Sequence, residues 1–431
     1  MKNVFTWTFA CFLLFFTSCS DSNEKKDNSR DPSKPITLSS FYPQEGGMAT
    51  RVIIEGSNFG NNLDEIRVWY NKKKASIIGS DGNHLYVVTP RQPGDECSIS
   101  VVVGGDSVAF EKSFIYHTAV TVSTIAGRKG TSAFKAGTLA TAEFGKPQRI
   151  CVDAEGNIFG AHRNASICWM LNEEKDMVMQ LPNVSPTAGS PTLDITGRVV
   201  TFPDDAGYNY YTFDADIQWA GRRRTILRPT QEEQEEGKQD FTISYKTSLA
   251  TCELDGMIYT FDYTNGYLVK FDPNTRKGER VDHFTSATGT HGMLAFHPVE
   301  KNILYIAFIH KYAIYTYDIL TKELKPFAGT YGVNGWRDGD KDDAYLGEIG
   351  QFVFDEDLNL VFSDAGNHCI RQISPDGQVS TIIGKPQTAG YVDGNPDDAL
   401  FDYPRGMCID KDYNIYISDT NNNCIRKLSI E

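Results

Sequence analysis

One pattern of residues occurs twice near the end of the chain and restricts the folds that it can adopt. Segments 349–373 and 401–428 share an apolar strand ending in aspartate, a turn, a second strand ending in Ser-Asp, and then Asn-x-x-Ile-Arg. Weaker copies occupy four earlier segments, 147–171, 191–227, 249–272 and 291–318. A short repeated unit cannot bury its apolar face alone, so successive units must stack on one another. We therefore predict an all-β repeat fold.

The two clear copies resemble the NHL repeat, which implies a β-propeller. The resemblance rests on the motifs P-x-G (404–406), S-D (418–419) and N-x-x-I-R (422–426), and on a V-S-T-I-x-G fourth strand. Counting the weaker copies gives six units of roughly fifty residues over 118–431, the size of one four-stranded blade. The last unit lacks its V-S-T-I-x-G strand, which occurs instead at 122–127. We predict a six-bladed NHL-type β-propeller whose two ends share one blade, leaving no open sheet edge.

Residues 36–117 have a different pattern, with short apolar strands every eight to twelve residues separated by glycine and proline. This spacing is typical of a β-sandwich. The motifs P-x-x-G-G (43–47), G-x-N-F-G (56–60), T-P (89–90) and F-x-Y (114–116) resemble the IPT/TIG family. The resemblance implies an immunoglobulin-like domain that acts as a spacer or a protein-contact module. We expect a spacer, because no group of residues in this segment assembles chemistry.

The N-terminus has the features of a targeting segment. Residues 1–18 contain Lys2 and an apolar run too short to span a bilayer, and they end in Phe-Thr-Ser before Cys19. This resembles a bacterial lipobox and implies a lipoprotein signal peptide with lipidation of Cys19; an ordinary secretory signal is the alternative. Residues 19–35 are polar and predict a tether. The acidic patch after the cysteine resembles surface lipoproteins of Bacteroidetes, so we expect an outer-membrane, lipid-anchored protein that faces the cell exterior.

Composition excludes some classes of partner. The net charge is −14, and no basic stripe is present, so we expect no nucleic-acid binding. The basic cluster Arg222-Arg223-Arg224 precedes the acidic run 232–236. We expect a solvated protruding loop there, with a polyanion contact as the alternative. The nine cysteines show no Cys-x-x-Cys pair or Cys/His spacing typical of metal ligands, and we expect those beyond Cys19 to pack as small apolar residues.

Three loops that lead into the first strand of a unit carry an aromatic residue three positions before a glycine. These residues are Phe134, Trp336 and Tyr391. On a propeller face they could stack against sugar rings; the alternative is that each pins its loop between blades. Loops between second and third strands share that face, and they add polar candidates for ligand binding, namely His162, Arg163, Tyr267, His310 and His368.

Residues that enter the first strands are expected at the mouth of the propeller channel. They include Gln148, Arg149, His291, Gln351 and Arg405. Some NHL-related lyases hold a metal with three convergent histidines, but only His291 occupies such a position here, so we predict no metal and no cofactor. The acidic loop 338–343 resembles a calcium loop, but its glycine is misplaced for an EF-hand, and we expect a solvated turn.

Three functions remain open at this point, because propeller folds serve many activities. The first is a non-enzymatic cell-surface binder that captures a polysaccharide on the loop face, with the IPT/TIG domain as spacer. The resemblance to glycan-capture lipoproteins of Bacteroidetes favours it. The second is a propeller lyase or hydrolase acting through His291, Arg405 and Arg149. The third is a protein-interaction scaffold in an outer-membrane transport complex.

Overall fold

The computed structural model describes residues 28–91, 96–162, 167–182 and 189–430. They form two compact units, with the division between His117 and Thr118. Both units consist of strands joined by turns, which confirms the predicted all-β class. In the described part of the chain, no helix has the length and apolar character needed to cross a membrane.

The first unit is a sandwich of short strands. They are β1 (Thr37–Tyr42), β2 (Glu45–Gly46), β3 (Arg51–Gly60), β4 (Ile66–Tyr70), β5 (Lys73–Lys74), β6 (Ser76–Ser80), β7 (Gly82–Val88), β8 (Glu96–Cys97), β9 (Ile99–Val103), β10 (Asp106–Ala109) and β11 (Phe114–Tyr116). Two four-stranded sheets have the orders β1-β3-β7-β6 and β10-β9-β4-β5, and a third sheet is β2-β11-β8. Buried Val52 and Ile54 alternate with exposed neighbours along β3, so one face of each sheet supplies the core.

The second unit begins with β12 (Val120–Gly127) and contains six sheets. Sheet 1 consists of β13 (Pro147–Val152), β14 (Asn157–His162), β15 (Cys168–Asn172) and β16 (Met177–Gln180). Sheet 2 consists of β17 (Thr192–Leu193), β18 (Val199–Pro203), β19 (Asn209–Asp214) and β20 (Ala220–Thr225). Sheet 3 consists of β21 (Lys246–Thr251), β22 (Ile258–Asp262), β23 (Tyr267–Phe271) and β24 (Gly278–His283). Sheet 4 consists of β25 (Gly292–Phe296), β26 (Ile303–Phe308), β27 (Ala313–Asp318) and β28 (Glu323–Ala328). Sheet 5 consists of β29 (Gly339–Asp340), β30 (Ile349–Phe354), β31 (Leu360–Asp364), β32 (Cys369–Ile373) and β33 (Gln378–Ile383). Sheet 6 consists of β34 (Pro404–Ile409), β35 (Ile415–Asp419), β36 (Cys424–Ile430) and β12.

Consecutive strands pair as in a meander, with two exceptions: the short β29 pairs with β33 in sheet 5, and β12 pairs with β36 in sheet 6. The first and fourth strands of sheet 5 are therefore β30 and β33, and those of sheet 6 are β34 and β12. In sheet 6, β12 pairs antiparallel with β36 from Val120 opposite Ile430 to Gly127 opposite Cys424. Apolar side chains of neighbouring sheets form the core, with one buried cluster between each successive pair and one between sheets 6 and 1. The cysteines of the described residues are free, and all but Cys151 are buried, as expected for small apolar side chains.

The repeated motif has a structural explanation in sheets 5 and 6. The side chain of Arg371 is fully buried, and its Nη1 lies 2.9 Å from the Asp364 carboxylate while its Nη2 lies 2.8 Å from that of Asp338. Asn367 donates to the same Asp364 oxygen. An equivalent group in sheet 6 joins Arg426 to its two aspartates and one asparagine, Asp419, Asp393 and Asn422. The acidic loop 338–343 therefore contributes an ion-pair partner rather than a wholly solvated turn.

The basic cluster is not a loop, so that prediction is wrong. Arg222, Arg223 and Arg224 lie in β20, the fourth strand of sheet 2. The acidic run begins the helix Gln231–Glu235, where Thr230 and Glu233 form a capping box. Short 3₁₀ helices occupy Leu63–Glu65, Ala215–Ile217, Thr285–Ala287, Ile309–Lys311, Ala365–Asn367 and Thr420–Asn422.

Candidate functional site

The first strands of all six sheets surround one axial cavity of about 320 Å³, lined by the C-terminal halves of these strands. The buried amide of Gln351 crosses between them. Its Oε1 accepts from the backbone N–H groups of Ile150 (2.7 Å) and Met407 (3.1 Å), and its Nε2 donates to the Ile150 carbonyl (2.9 Å) and to Ser190 Oγ (2.7 Å). One side chain of sheet 5 therefore holds the first strands of sheets 1 and 6 and the segment that leads into sheet 2.

At the N-terminal ends of the first strands lies a second group of polar side chains, which we call the mouth: Gln148, Arg149, Thr247, His291 and Arg405. Nη1 of Arg405 donates to Oε1 of Gln148 over 2.8 Å, which links sheets 6 and 1. The Arg405 guanidinium also lies 5.2 Å from the centre of the Tyr403 ring. Gln148 and Arg149 are almost fully buried, so their positions are fixed by packing.

His291 is the imidazole of the mouth. Its Nδ1 forms a hydrogen bond with the hydroxyl of Thr247, and its ring lies 4.6 Å from that of Tyr263 and 5.4 Å from that of His310. Burial, together with the nearby positive charges of Arg149, His310 and Arg405, lowers the pKa of His291 to about 4. The imidazole is therefore neutral at pH 7. Its Nε2 can form one hydrogen bond with a ligand, while Arg149 and Arg405 supply positive charge beside it.

An aromatic group adjoins the mouth on the side of sheets 3 and 4. Tyr245 is half exposed, and its ring lies 6.4 Å from that of Tyr263, which in turn contacts His291 and His310. Tyr245 and Thr247 were missed by the sequence prediction. They lie at the start of the first strand of sheet 3, where Gln148 and Arg149 lie in sheet 1. The sequence motif of this weak copy begins only at residue 249, so it did not include them.

The three aromatic loop residues do not join the mouth. Trp336 donates from Nε1 to Thr381 Oγ1 (3.1 Å), and the Tyr391 hydroxyl donates to Thr124 Oγ1 (3.1 Å). Both threonines belong to fourth strands, β33 and β12. Phe134 packs against Phe144 and His162 in sheet 1. Each residue thus contacts a different sheet, an arrangement that favours a role in fixing the loops.

The remaining predicted residues are dispersed. His310 is exposed beside the mouth, whereas Nδ1 of His368 accepts from the backbone N–H of Tyr403. Tyr267 lies against His283 and under the Arg280 guanidinium, within its own sheet. Arg163 lies outside the described residues, as does Cys19.

His162 is a core residue of sheet 1. It is 1% exposed, its Nδ1 accepts from the backbone N–H of Gly145 (3.2 Å), and its ring packs against Phe134 and Phe144. Nε2 has no hydrogen-bond partner within the described residues. Burial lowers the pKa of His162 to about 4, so the folded protein holds a neutral imidazole.

This burial predicts an acid-sensitive second unit. In the unfolded chain the imidazole takes up a proton below its ordinary pKa of about 6.5. Its contribution to stability is therefore complete above pH 6.5 and is lost as the pH falls towards 4, by up to about 3 kcal/mol. His162→Gln should flatten the dependence of the unfolding free energy on pH between 6.5 and 4, measured in urea. The exposed His283→Gln is the control, and an unchanged slope in His162→Gln would contradict the prediction.

Metal binding finds no support in the geometry of the described residues, where no group of three histidine, cysteine or carboxylate side chains is placed to hold an ion. His291 and His310 approach each other, but their neighbours are Thr247, Tyr263 and two arginines rather than further ligands. The arrangement suits hydrogen bonding and ring stacking.

Comparison with known proteins adds family matches for parts of the chain. Residues 36–116 match the IPT/TIG domain, and residues 401–428 match the NHL repeat. Over 72 residues the chain is 40% identical to NHL repeat-containing protein 2 of Gallus gallus, a stretch that covers 17% of this chain. The match spans only 10% of that relative's own length.

Solved structures resemble the whole described fold. A structural genomics protein of unknown function from Bacteroides thetaiotaomicron has a TM-score of 0.81 and 24% identity, covering 94% of this chain and 100% of that one. An auxiliary nutrient binding protein from Bacteroides ovatus has a TM-score of 0.64 and 23% identity with the same coverage. At these sequence identities, the similarity shows that the proteins share a fold. The chain thus combines an N-terminal IPT/TIG domain with a propeller-like fold that carries an NHL repeat.

Proposed function

We propose that the protein is a binding protein that captures a polysaccharide at the mouth and on the aromatic group beside it. One observation carries this proposal: hydrogen bonds fix Arg405 to Gln148 and His291 to Thr247, next to the half-buried ring of Tyr263 and the exposed ring of Tyr245. Groups that are already fixed lose little entropy when a ligand binds. Amide, guanidinium and neutral imidazole groups suit the hydroxyls of a sugar, and Tyr245 offers a ring face for its C–H patches.

The fold supports the same proposal from another direction. An auxiliary nutrient binding protein of Bacteroides ovatus shares it, and a saccharide is a nutrient that a polar, aromatic site of this kind can take. A binding site assembled from several sheets also suits a long polymer, because its sugar units can contact more than one loop.

Binding measurements on the intact chain test this function. Tyr245→Ala combined with His310→Ala should weaken binding to any polysaccharide found on a glycan panel by at least about tenfold, or about 1.4 kcal/mol. Both side chains are exposed, so folding should be unaffected. Trp336→Ala is the matched control, because its ring contacts β33 away from the mouth, and it should bind as the parent does. Loss of binding in the control with retention in the double variant would overturn the assignment to the mouth.

An enzyme acting at the mouth is the second candidate, and the neutral imidazole of His291 is the observation that favours it. A half-buried base beside two arginines could remove a proton while the arginines stabilise the charge that develops. The two candidates differ in one measurement. If the purified protein shortens a polysaccharide and His291→Ala abolishes this activity, the enzyme replaces the binder.

The membrane anchor and the closed ring are further parts of the proposal. We infer that Cys19 is lipidated and that 19–35 is a tether, whose final part contacts the first unit through Arg30, Asp31 and Lys34. We also infer that the IPT/TIG domain holds a six-bladed propeller away from the outer membrane on the cell exterior. The lipobox supports the anchor, and incorporation of labelled fatty acid into the chain tests it. The pairing of β12 with β36 and the apolar cluster between sheets 6 and 1 support the ring.

A further inference from the structure

A cleft in the second unit lies between sheets 2 and 3, at the end of the sheets opposite to the mouth. It has a volume of about 510 Å³ and is formed by turns between first and second strands and between third and fourth strands. We call it the inter-sheet cleft. Its volume is within the range of roughly 300–1,000 Å³ that small-molecule sites occupy.

Three arginines line the inter-sheet cleft and form no ion pair with another described residue. Arg222 and Arg224 extend from β20, and Arg276 lies in the turn after β23. Within the described residues, none of these guanidinium groups forms an ion pair or a side-chain hydrogen bond. Arg223, between the first two, faces the other side of the sheet because successive side chains of a strand alternate.

The aspartates of the cleft have partners, in contrast to the arginines. Oδ1 of Asp194 accepts from the backbone N–H groups of Arg198 and Val199, and Oδ1 of Asp272 accepts from that of Asn274. Asp255 accepts from the backbone of Met257 and from the Tyr259 hydroxyl. Oδ1 of Asp214, the fourth aspartate of the cleft, accepts from the backbone N–H of Asp216. Each of the four carboxylates therefore has a partner in its own part of the chain, and the three guanidinium groups are left to face the cleft.

A buried hydroxyl gives an independent indication of a ligand. Thr201 lines the inter-sheet cleft and is 1% exposed, yet its Oγ1 has no hydrogen-bond partner within the described residues. The hydroxyl of Tyr210 is likewise buried without a partner, and Arg224 and Arg276 both lie close enough to act on its charge. A buried hydroxyl without a partner is unfavourable, and a ligand that supplies the missing bond removes that cost.

We propose that the inter-sheet cleft binds a saccharide that carries a carboxylate, with Arg224 and Arg276 on the acid group and Thr201 on a ring hydroxyl. Guanidinium groups recognise planar carboxylates through paired hydrogen bonds. Four aspartates line the same cleft, so a ligand with several negative charges is disfavoured, whereas their remaining lone pairs accept from sugar hydroxyls. This site is separate from the mouth and extends the protein's proposed ligands to acidic sugars.

Titration calorimetry with two disaccharides tests the site. Glucuronyl-xylose carries one carboxylate, and glucosyl-xylose has the same rings with a neutral CH₂OH in its place. The intact protein should bind the first and should bind the second at least tenfold more weakly. Arg224→Gln combined with Arg276→Gln should weaken binding of glucuronyl-xylose more than tenfold, while Arg223→Gln, which removes a neighbouring charge from β20, should bind it as the parent does.

Two further variants make the outcome decisive. Thr201→Val keeps the shape of the side chain, and it should weaken binding several-fold while unfolding at or above the parent's temperature. Tyr245→Ala should leave binding of the acidic disaccharide unchanged, which separates this site from the mouth. Equal affinity for both disaccharides, parental affinity in the double arginine variant, or binding of a sulfated disaccharide alone would overturn the proposal.

Discussion

Replacing Arg426 by methionine is expected to destabilise the second unit by about 3–5 kcal/mol, because it removes one partner of a buried ion pair. The Arg426 side chain is fully buried between Asp419 and Asp393, and it also donates to the carbonyl of Leu400. Methionine fills a similar volume but leaves the Asp419 carboxylate, itself without exposure, facing no positive charge. Urea unfolding followed by tryptophan fluorescence measures the loss.

Two controls separate this effect from a general loss of charge. Arg371→Met removes the equivalent arginine of sheet 5, and its cost should match that of Arg426→Met within about 1 kcal/mol, because the partners are equivalent. Arg198→Met removes an arginine whose pair with Asp216 is exposed, and it should leave the unfolding midpoint unchanged. A midpoint shift in Arg198→Met as large as that in Arg426→Met would contradict the explanation of the repeated motif.

Replacing Gln351 by leucine is expected to lower the free energy of unfolding by about 3 kcal/mol, because it leaves several buried polar groups without hydrogen-bond partners. The N–H groups of Ile150 and Met407 both donate to its amide oxygen, and the Ser190 hydroxyl accepts from its amide nitrogen. Leucine is of similar size and offers none of these partners. Thermal unfolding should show a lower midpoint with a single transition.

The matched control is Gln378→Leu, an exposed glutamine at the start of β33 in the same sheet. It should change stability by less than about 0.5 kcal/mol, as is usual for surface substitutions. If Gln351→Leu unfolds at the parental temperature, the amide does not hold the first strands together, and packing between the sheets must suffice.

The regular copies of the repeat were predictable because a chemical network dictates their residues. Asp364, Asn367 and Arg371 must recur in the same positions if a buried arginine is to be neutralised, so their spacing is visible in the sequence. Sheet 2 lacks this network. Its first strand, β17, has only two residues, and its fourth strand contains three consecutive arginines. A run of charges is typical of loops, and the alternation that makes it a strand depends on cross-strand pairing with β19.

The candidate site was predictable only in part, because the repeat determines where residues lie along the strands but not where every side chain points. Gln148, Arg149, His291 and Arg405 enter first strands, and strand entry points meet at one end of stacked sheets, so their proximity follows from the repeat. Trp336 and Tyr391 also follow the repeat, but the direction of their side chains depends on hydrogen bonds to the threonines of fourth strands. The inter-sheet cleft depends on packing between sheets 2 and 3 of the second unit, which no local sequence motif indicates.

The pairing of β12 with β36 also has a consequence for synthesis. These strands lie roughly three hundred residues apart in the chain, and the sheet that they share is incomplete until both have been made. A ribosome adds about 5–20 residues each second, so β12 waits at least about fifteen seconds for β36. The apolar face of sheet 1 that packs on sheet 6 waits for a similar time. During that interval an unpaired strand edge is available to other chains, and folding of the second unit should finish only after β36 has been made.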